Sequence, residues 1–280
     1  MSQFQKKTGT FQSKDGLNLS YMHLVPENMD SNVSIVINHG IGEAFETYDY
    51  LIENLSGLPC DIWIYEMRGH GRSDGKRGHA ESIHQLSDDL DLFIDLAGTE
   101  NKKIILIGHS LGASVSLNYI LRYGSDKIKT LIVNASGLLI QTDLLMNIKI
   151  AIGKILRNLS PSTTMDTGIK DTSLSSYDEY LIKRASLTQV HFKISASLAM
   201  SILEEGETIL AAAEKIKLPI LITHGENDPL ADKTGSEMLY KNAGSTDKKL
   251  IIYPGLKHEI YNENKEIVFS DLKNWIQNHL

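Results

Sequence analysis

Cysteine is almost absent from this chain. Cys60 is the only one in 280 residues, which excludes an intramolecular disulfide and fits a reducing compartment. A basic surplus is missing as well: the formal net charge is −7, so binding a phosphate backbone is not expected to be its task and no nucleic-acid partner is expected. No run of ~18 apolar residues occurs, so no membrane span is expected. The N-terminal MSQFQKKTGTFQSKDG has no apolar stretch after its lysines, so no secretory signal is expected either. Neither a G-x-G-x-x-G nor a P-loop is present to hold a nucleotide. His23, His84, His191, His224 and His279 lack a cysteine or carboxylate at metal-ligand spacing, so neither metal nor cofactor is expected. What remains is ordinary for a soluble globular protein, with 41% hydrophobic and 22% charged residues. The length suits one large α/β domain with room for an insertion, and the expected setting is cytoplasmic.

The stretch that organises the chain is KKIILIGHSLGASVSLNYILRY, residues 102–123. Ile104 to Ile107 are aliphatic without alternation, the pattern of a strand buried on both faces. Gly108-His109-Ser110-Leu111-Gly112 follows, and a helical segment starts at about Ala113. G-x-S-x-G between a strand and a helix is the context of a nucleophile elbow. The five-residue pattern recurs by chance, so its weight comes from those flanks. In such a turn the serine backbone is strained, and anything larger than glycine at its flanks collides with the neighbouring strand and helix.

Around this stretch the chain alternates. A hairpin is expected over residues 8–25, turning at Lys14-Asp15-Gly16. Buried strands are expected at 33–38, 61–65, 104–107, 130–135, 218–223 and 249–253, and helices at about 48–56, 82–98, 113–123, 235–242 and 267–280. In the helix from Ser82 to Gly98, Ile83, Leu86, Leu90, Phe93, Ile94 and Ala97 share one side, with Asp88, Asp89, Asp91 and Asp95 largely elsewhere. Strand and helix in turn imply a mostly parallel sheet covered on both faces. The rhythm stops after Gly137. Residues 138–217 show helical pieces and a polar loop, Ser160 to Ser176, with no convincing strand. The expected division is a core of 1–137 and 218–280 and a helical insertion of 138–217.

The first helix of that insertion, Leu144 to Leu159, gathers Leu144, Leu145, Ile148, Ala151, Ile152, Ile155, Leu156 and Leu159 on one broad face, with Lys149, Lys154 and Arg157 away from it. Two readings stand side by side. The apolar face is buried on the core, or the helix roofs a lipid-shaped pocket and touches a membrane surface through its basic rim.

A serine hydroxyl needs an adjacent base, usually a histidine oriented by a carboxylate. In nucleophile-elbow proteins these follow in the order serine, acid, histidine. His224-Gly225-Glu226-Asn227-Asp228-Pro229 follows the strand at 218–223, and Pro254-Gly255-Leu256-Lys257-His258-Glu259 follows the strand at 249–253. Ser110 is therefore the expected nucleophile, Asp228 the acid and His258 the base. Glu226 is the competing acid, and a helix-capping role is the bland reading of Asp228. The oxyanion donors are expected at the backbone N–H groups of Leu111, after the serine, and Ile41, in the loop His39-Gly40-Ile41-Gly42; a plain tight turn is the alternative for that loop. His70, His79 and His109 are expected to pack or to bond backbone.

These residues resemble the monoacylglycerol lipase and lysophospholipase group of the α/β-hydrolase superfamily. The likeness is carried by INHGIGEAFETYDYL, IYEMRGHGRSDGKRGHAESIHQLSDDL, LIGHSLGASVSL, LPILITHGENDPLADKTGS leading to YPGLKHEIYNE, and VHFKISASLAMSILEEG in the insertion. It spans nearly the whole chain. The resemblance implies an α/β-hydrolase fold with a helical lid and Ser110, Asp228 and His258 as triad. It also implies oxyanion groups at Ile41 and Leu111, no cofactor, and a single-chain lipid ester as substrate, a monoacylglycerol or a lysophospholipid. Ala113 stands where many relatives have glycine, and Glu66 where an aspartate is common. The rivals are a short-chain esterase, a prolyl-type aminopeptidase and a non-catalytic ligand receptor; the oligomeric state is not legible.

Overall fold

The computed structural model describes residues 4–27, 32–99, 102–141, 144–263 and 265–280, with the side chains of 144–146 outside the description. The chain opens with β1 (Phe4–Gln12) and β2 (Asn18–Pro26), an antiparallel pair longer than the expected hairpin. Then come β3 (Val33–Asn38), α1 (Asp49–Leu55), β4 (Asp61–Tyr65), α2 (Ile83–Ala97), β5 (Lys103–His109), α3 (Leu111–Tyr123) and β6 (Ile128–Asn134). The insertion holds α4 (Leu144–Leu159), β7 (Thr164–Asp166), α5 (Asp171–Leu174), α6 (Asp178–Ser186), β8 (Lys193–Ser195) and α7 (Ala196–Ala212). The chain closes with β9 (Ile220–Gly225), α8 (Lys233–Asn242), β10 (Lys248–Tyr253) and α9 (Glu266–Gln277).

The eight-stranded sheet runs β1-β2-β4-β3-β5-β6-β9-β10, parallel from β4 onward and antiparallel where β2 meets β1 and β4. Its strands read as unbroken apolar runs because both faces are covered. Val36, Ile104 and Leu106 point to one side, against Phe93 of α2, Val115 of α3 and Ile209 of α7. Ile35, Ile37, Ile105 and Ile107 point to the other, against Leu51 of α1 and Phe269 and Ile276 of α9. Each fully buried aliphatic side chain contributes ~1.5–3 kcal/mol of transfer free energy, so these two layers fix the frame from which the loops project.

Two expectations change inside this frame. Asp89 is not on the solvent side of α2: it is buried and binds Arg68 Nε and Nη2 at 2.6 and 2.8 Å, while Asp15 takes Nη1 and Nη2 of the same guanidinium at 2.7 and 2.9 Å. A buried carboxylate is tolerated where such a fork satisfies it. The insertion also contains strand. β7, inside the stretch read as a polar loop, pairs antiparallel with β8, outside it; three-residue strands are too short for an alternating pattern to register.

The face of α4 is a further correction. Ile148, Ile152, Ile155 and Leu159 are 48, 46, 60 and 78% exposed. The helix turns Ile150 and Lys149 inward, and Gly153 sits against Met200, whose methyl would lie 3.0 Å from an added Cβ. The reading in which the broad apolar face is buried on the core therefore fails from Ile148 to Leu159, while the side chains of Leu144 and Leu145 lie outside the described residues. α7 spans both regions: Met200 meets α4, while Leu198, Ile209 and Leu210 join the core layer of α2 and α3.

At the end of β5 the chain makes the turn that positions Ser110. Its φ is 52° and ψ is −117°, a conformation side chains rarely adopt. The glycines on either side leave no alternative. A Cβ at Gly108 would lie 2.6 Å from Ala113 Cα, and one at Gly112 would lie 2.0 Å from the Asn38 carbonyl oxygen. Gly112→Ala should therefore lower the unfolding free energy by ~2–3 kcal/mol or more, read as a fall in the urea midpoint. Gly137→Ala, whose methyl meets nothing closer than 3.7 Å, should shift it by less than ~0.5 kcal/mol. Equal midpoints for the two variants would contradict the tight elbow.

Candidate active site

Ser110 lies between the end of β5 and the start of α3, and the parallel ladder continues past the strand ends to hold it. Ser110 N–H donates to the Asn134 carbonyl at 3.0 Å, and Ala135 N–H, itself at φ 45°, donates to the Thr223 carbonyl at 2.9 Å. The loop after β9 carries Asp228, and the loop after β10 carries His258. Asp228 Oδ2 accepts from His258 Nδ1 at 2.7 Å, which leaves Nε2 as the basic ring nitrogen. Ser110 and His258 line the same cavity, together with Ile41 and Leu111. The five residues expected from sequence are thus brought to one place, four along the cavity and Asp228 behind His258.

The alternatives for the acid separate cleanly. Glu226 is exposed, and its side chain accepts from Gly255 N–H at 3.4 Å. The helix-capping role falls to Asp232, whose side chain accepts from Thr234 N–H at the start of α8. Asp228 is buried, and its Oδ1 accepts from the N–H groups of Leu230 and Ala231 at 2.8 and 3.1 Å. His224 Nε2 approaches Oδ2 at 3.1 Å, with its own Nδ1 on Ser236 Oγ at 2.8 Å. Burial pushes the Asp228 carboxyl up, but the charge of His258 and the hydrogen bonds from His224 and His258 outweigh it and hold the group well below its ordinary 3.8. It is a carboxylate across the neutral range.

The loop bearing Ile41 is pinned from two sides. Glu43 Oε2 accepts from Gly40 N–H at 2.6 Å and from Tyr48 Oη at 2.6 Å. His39 Nε2 accepts Met67 N–H at 2.8 Å, and its Nδ1 donates to the Gly40 carbonyl at 2.7 Å, which assigns the neutral tautomer. Burial lowers the pKa of this histidine, in keeping with that form. The loop after β4 folds around the buried Glu66, which accepts from Phe45 N–H at 3.2 Å and from Arg72 N–H and Nη1 at 2.5 and 2.9 Å. Gly71 passes so close that a Cβ would lie 1.9 Å from the Glu66 carboxyl carbon.

Two cavities meet at Ser110. The larger, of about 210 Å³, runs under the insertion and is walled by apolar side chains including Ile140, Ile150, Met165, Ile194, Met200 and Leu203. The smaller, of about 20 Å³, shares Ile41, Ser110 and His258 but is otherwise lined by groups such as Glu43, Arg184, His191 and Glu259. Sequence reasoning missed this polar side. Glu43 and Glu259 lie two residues from Ile41 and next to His258, so adjacency to motif residues was the available signal; Arg184 and Tyr180, inside the insertion, had none.

Glu43, His109 and Glu259 also form a cluster whose ligand atoms lie within 4.8 Å of one another, a grouping that cation-binding sites share. Here the protein's own donors occupy it. Glu259 accepts from Tyr180 Oη and from Asn262 Nδ2, and Glu43 faces His109 Nε2 at 3.4 Å. Asn134 Nδ2 donates to His109 Nδ1 at 2.9 Å, which places the ring proton on the side of Glu43. Burial alone would push the His109 pKa down, but the Glu43 charge and hydrogen bond raise it.

A family model described as serine aminopeptidase, S33, matches residues 30–265. The chain is 26% identical to a protein named monoacylglycerol lipase from Mycolicibacterium smegmatis, over 97% of each chain. It is 28% identical to a protein named Phospholipase YtpA from Bacillus subtilis, over 84% of this chain and 91% of the relative. The crystal structure of Paleococcus ferrophilus monoacylglycerol lipase superposes with a TM-score of 0.82 at 26% identity, covering 99% of this chain and 100% of that one. No helix among the described residues is long and apolar enough to cross a membrane. With its sheet order, elbow and family match in agreement, the chain belongs to the serine aminopeptidase S33 family and to the monoacylglycerol lipase group of the α/β-hydrolase superfamily, and it is a hydrolase.

Proposed function

We propose that this enzyme cleaves monoacylglycerols to fatty acid and glycerol through an acyl-enzyme on Ser110. One observation carries the reading: an apolar cavity and a polar cavity of opposite character meet at Ser110 and His258. An ester with one long acyl chain and a small hydroxylated head matches both walls when its carbonyl sits at the junction. The core, 1–137 and 218–280, supplies the reacting groups, and the cap, 138–217, supplies most of the walls.

In this mechanism His258 Nε2 takes the Ser110 proton as Oγ adds to the carbonyl, and Asp228 holds the imidazole tautomer and balances its positive charge. The N–H groups of Ile41 and Leu111 bind the oxyanion, the second from the first turn of α3, where the helix dipole favours negative charge. His258 then returns the proton to the glyceryl oxygen, glycerol leaves, and water repeats the sequence on the acyl-enzyme. No cofactor enters. A lysophospholipid is the alternative substrate. An aminoacyl amide is a second reading, favoured by the two carboxylates in the polar cavity, which suit an ammonium group; the Arg184 cation beside them opposes it.

The exposed stripe Ile148, Ile152, Ile155 and Leu159 on α4 has the form of a surface that dips into a lipid interface. We place the enzyme in the cytoplasm, in transient contact with membranes through that stripe. The basic rim contributes less than its sequence implies, since Lys149 turns in toward the Thr167 carbonyl and Arg157 pairs with Glu204.

Ser110→Ala and His258→Ala should each lower turnover on the order of 10⁴-fold or more without unfolding the protein. Fatty-acid release should favour monoacylglycerols over lysophosphatidylcholine, triacylglycerol, short p-nitrophenyl esters and aminoacyl amides. Near-normal hydrolysis by Ser110→Ala would refute the mechanism, and a preference for the amides would refute the substrate. Ile152→Asp with Ile155→Asp should weaken co-sedimentation with phospholipid vesicles by about tenfold or more and leave turnover of a soluble short ester unchanged; unaltered vesicle binding would exclude α4 as the contact.

A carboxyl depressed in the folded state contributes stability that is present above its unfolded pKa and lost as pH falls from there toward the folded value. The difference in unfolding free energy between the wild type and Asp228→Asn should thus be full above about pH 5 and shrink below about pH 4. A constant difference from pH 7 to pH 3, measured by urea titration, would show that Asp228 is not held as the ion.

A further inference from the structure

Arg184 is the one cap residue that places a charged donor in the polar cavity beside Ser110 among the groups described there. It is 2% exposed, and it lies one turn after Tyr180 on α6. Nε donates to Asp171 Oδ1 at 3.1 Å, and the guanidinium sits 5.3 Å from the Phe192 ring centroid. Nη1 is buried and has no acceptor among the described residues. A buried guanidinium N–H without a partner is costly unless a ligand or water completes it. The rest of the side chain is held by an ion pair and a ring, and Arg184 lines the small cavity that Ser110 and His258 also line.

We propose that Arg184 is the specificity-determining residue for the leaving group, donating from its guanidinium to a free hydroxyl of a neutral glyceryl head. This rests on the monoacylglycerol reading and deepens it. The other walls select for neutral hydroxyls. Glu43, which is held as the ion, shares the cavity and repels a phosphate, whereas its oxygens accept from an alcohol. At about 20 Å³ the space admits a water-sized polar group or the hydroxymethyl end of a small alcohol, and a phosphocholine is far larger. Tyr180 Oη and Asn262 Nδ2 are already engaged on Glu259, whereas Arg184 is a charged donor there with unfilled capacity.

The test compares a monoacylglycerol with the methyl ester of the same acyl chain in the wild type, Arg184→Met and Arg184→Lys. Both esters use the same acyl cavity and triad, and only the first offers hydroxyls to Arg184. The wild type should show a kcat/KM ratio well above one. In Arg184→Met the monoacylglycerol value should fall ~10- to 100-fold, the range for losing a charge-assisted hydrogen bond, while the methyl ester stays within ~3-fold. Labelling of Ser110 by a fluorophosphonate should keep its wild-type rate. Arg184→Lys keeps the charge near Phe192 and Asp171 but loses the planar fork, and its ratio should fall severalfold. If Arg184→Met does not fold, the lysine variant decides.

Equal losses on both esters would reduce Arg184 to a scaffold of the cap and overturn the proposal. A high wild-type ratio that survives both substitutions would overturn it alone and leave the monoacylglycerol reading standing. A wild-type ratio near one would overturn both. Preference for lysophosphatidylcholine, lost in Arg184→Met, would mean that the residue reads an anionic head and would also refute the proposal.

Discussion

The strained backbone at Ser110 is the constraint on which the rest of this structure depends. A non-glycine residue in that conformation costs on the order of 1–3 kcal/mol, and it persists because its neighbours permit nothing else. Gly108 and Gly112 are the two places where β5, α3 and the loop after β3 touch backbone to backbone. Asn38 Nδ2 adds a lock, donating to the Gly112 carbonyl at 3.0 Å and to Ser116 Oγ at 3.2 Å. Asn134 bridges outward, with Nδ2 on His109 and Oδ1 accepting from Thr223 Oγ1 at 3.1 Å. The turn that holds the serine is thereby tied to the strand whose following loop holds Asp228. Strain at one residue and placement of another two strands away are one construction.

The electrostatics follow from this closeness. His258 has the Asp228 carboxylate on one side and the His109 ring, at 4.9 Å between centroids, on the other. Glu43 is held low despite burial because His109 and Tyr48 stabilise its charge, and Glu259 is pushed up by burial and by Glu43 itself. Of two buried carboxyls facing one cavity, one is therefore kept as the ion and the other is biased toward its proton. Arg184 sits nearby, and the charges that stabilise it against burial are those of Glu259, Glu43 and Asp171.

Much of the core was legible because its signals are local. Ile104 to Ile107 read as a strand buried on both faces, and the structure puts alternate residues into opposite apolar layers. Asp228 was preferred over Glu226 as the acid, and the structure buries the first against His258 and exposes the second. The illegible part is tertiary. Asp89 looked like one more solvent aspartate on α2 until Arg68 folded over it. β7 and β8 pair across the insertion through three residues each, which no periodicity could show. The broad face of α4 was legible as apolar, but a helical wheel cannot say whether apolar means inward. Here the inward side is the narrower one with Ile150 and Gly153.

That inversion links the cap to the chemistry beneath it. A helix that presents apolar residues to both sides has no single buried stripe, and in water its outer stripe is a standing cost. The cost disappears if the outer side meets acyl chains, the chemistry proposed for the cavity on its inner side. One helix would then touch lipid as a surface and lipid as a substrate. The polar cavity and this apolar passage share Ser110 and His258, so in the proposed reaction an acyl chain lying under α4 leaves its head group beside Arg184, Glu43 and Glu259. The order in which the walls change from apolar to polar is the order of groups along a single-chain ester, and Ser110 sits where the two orders coincide.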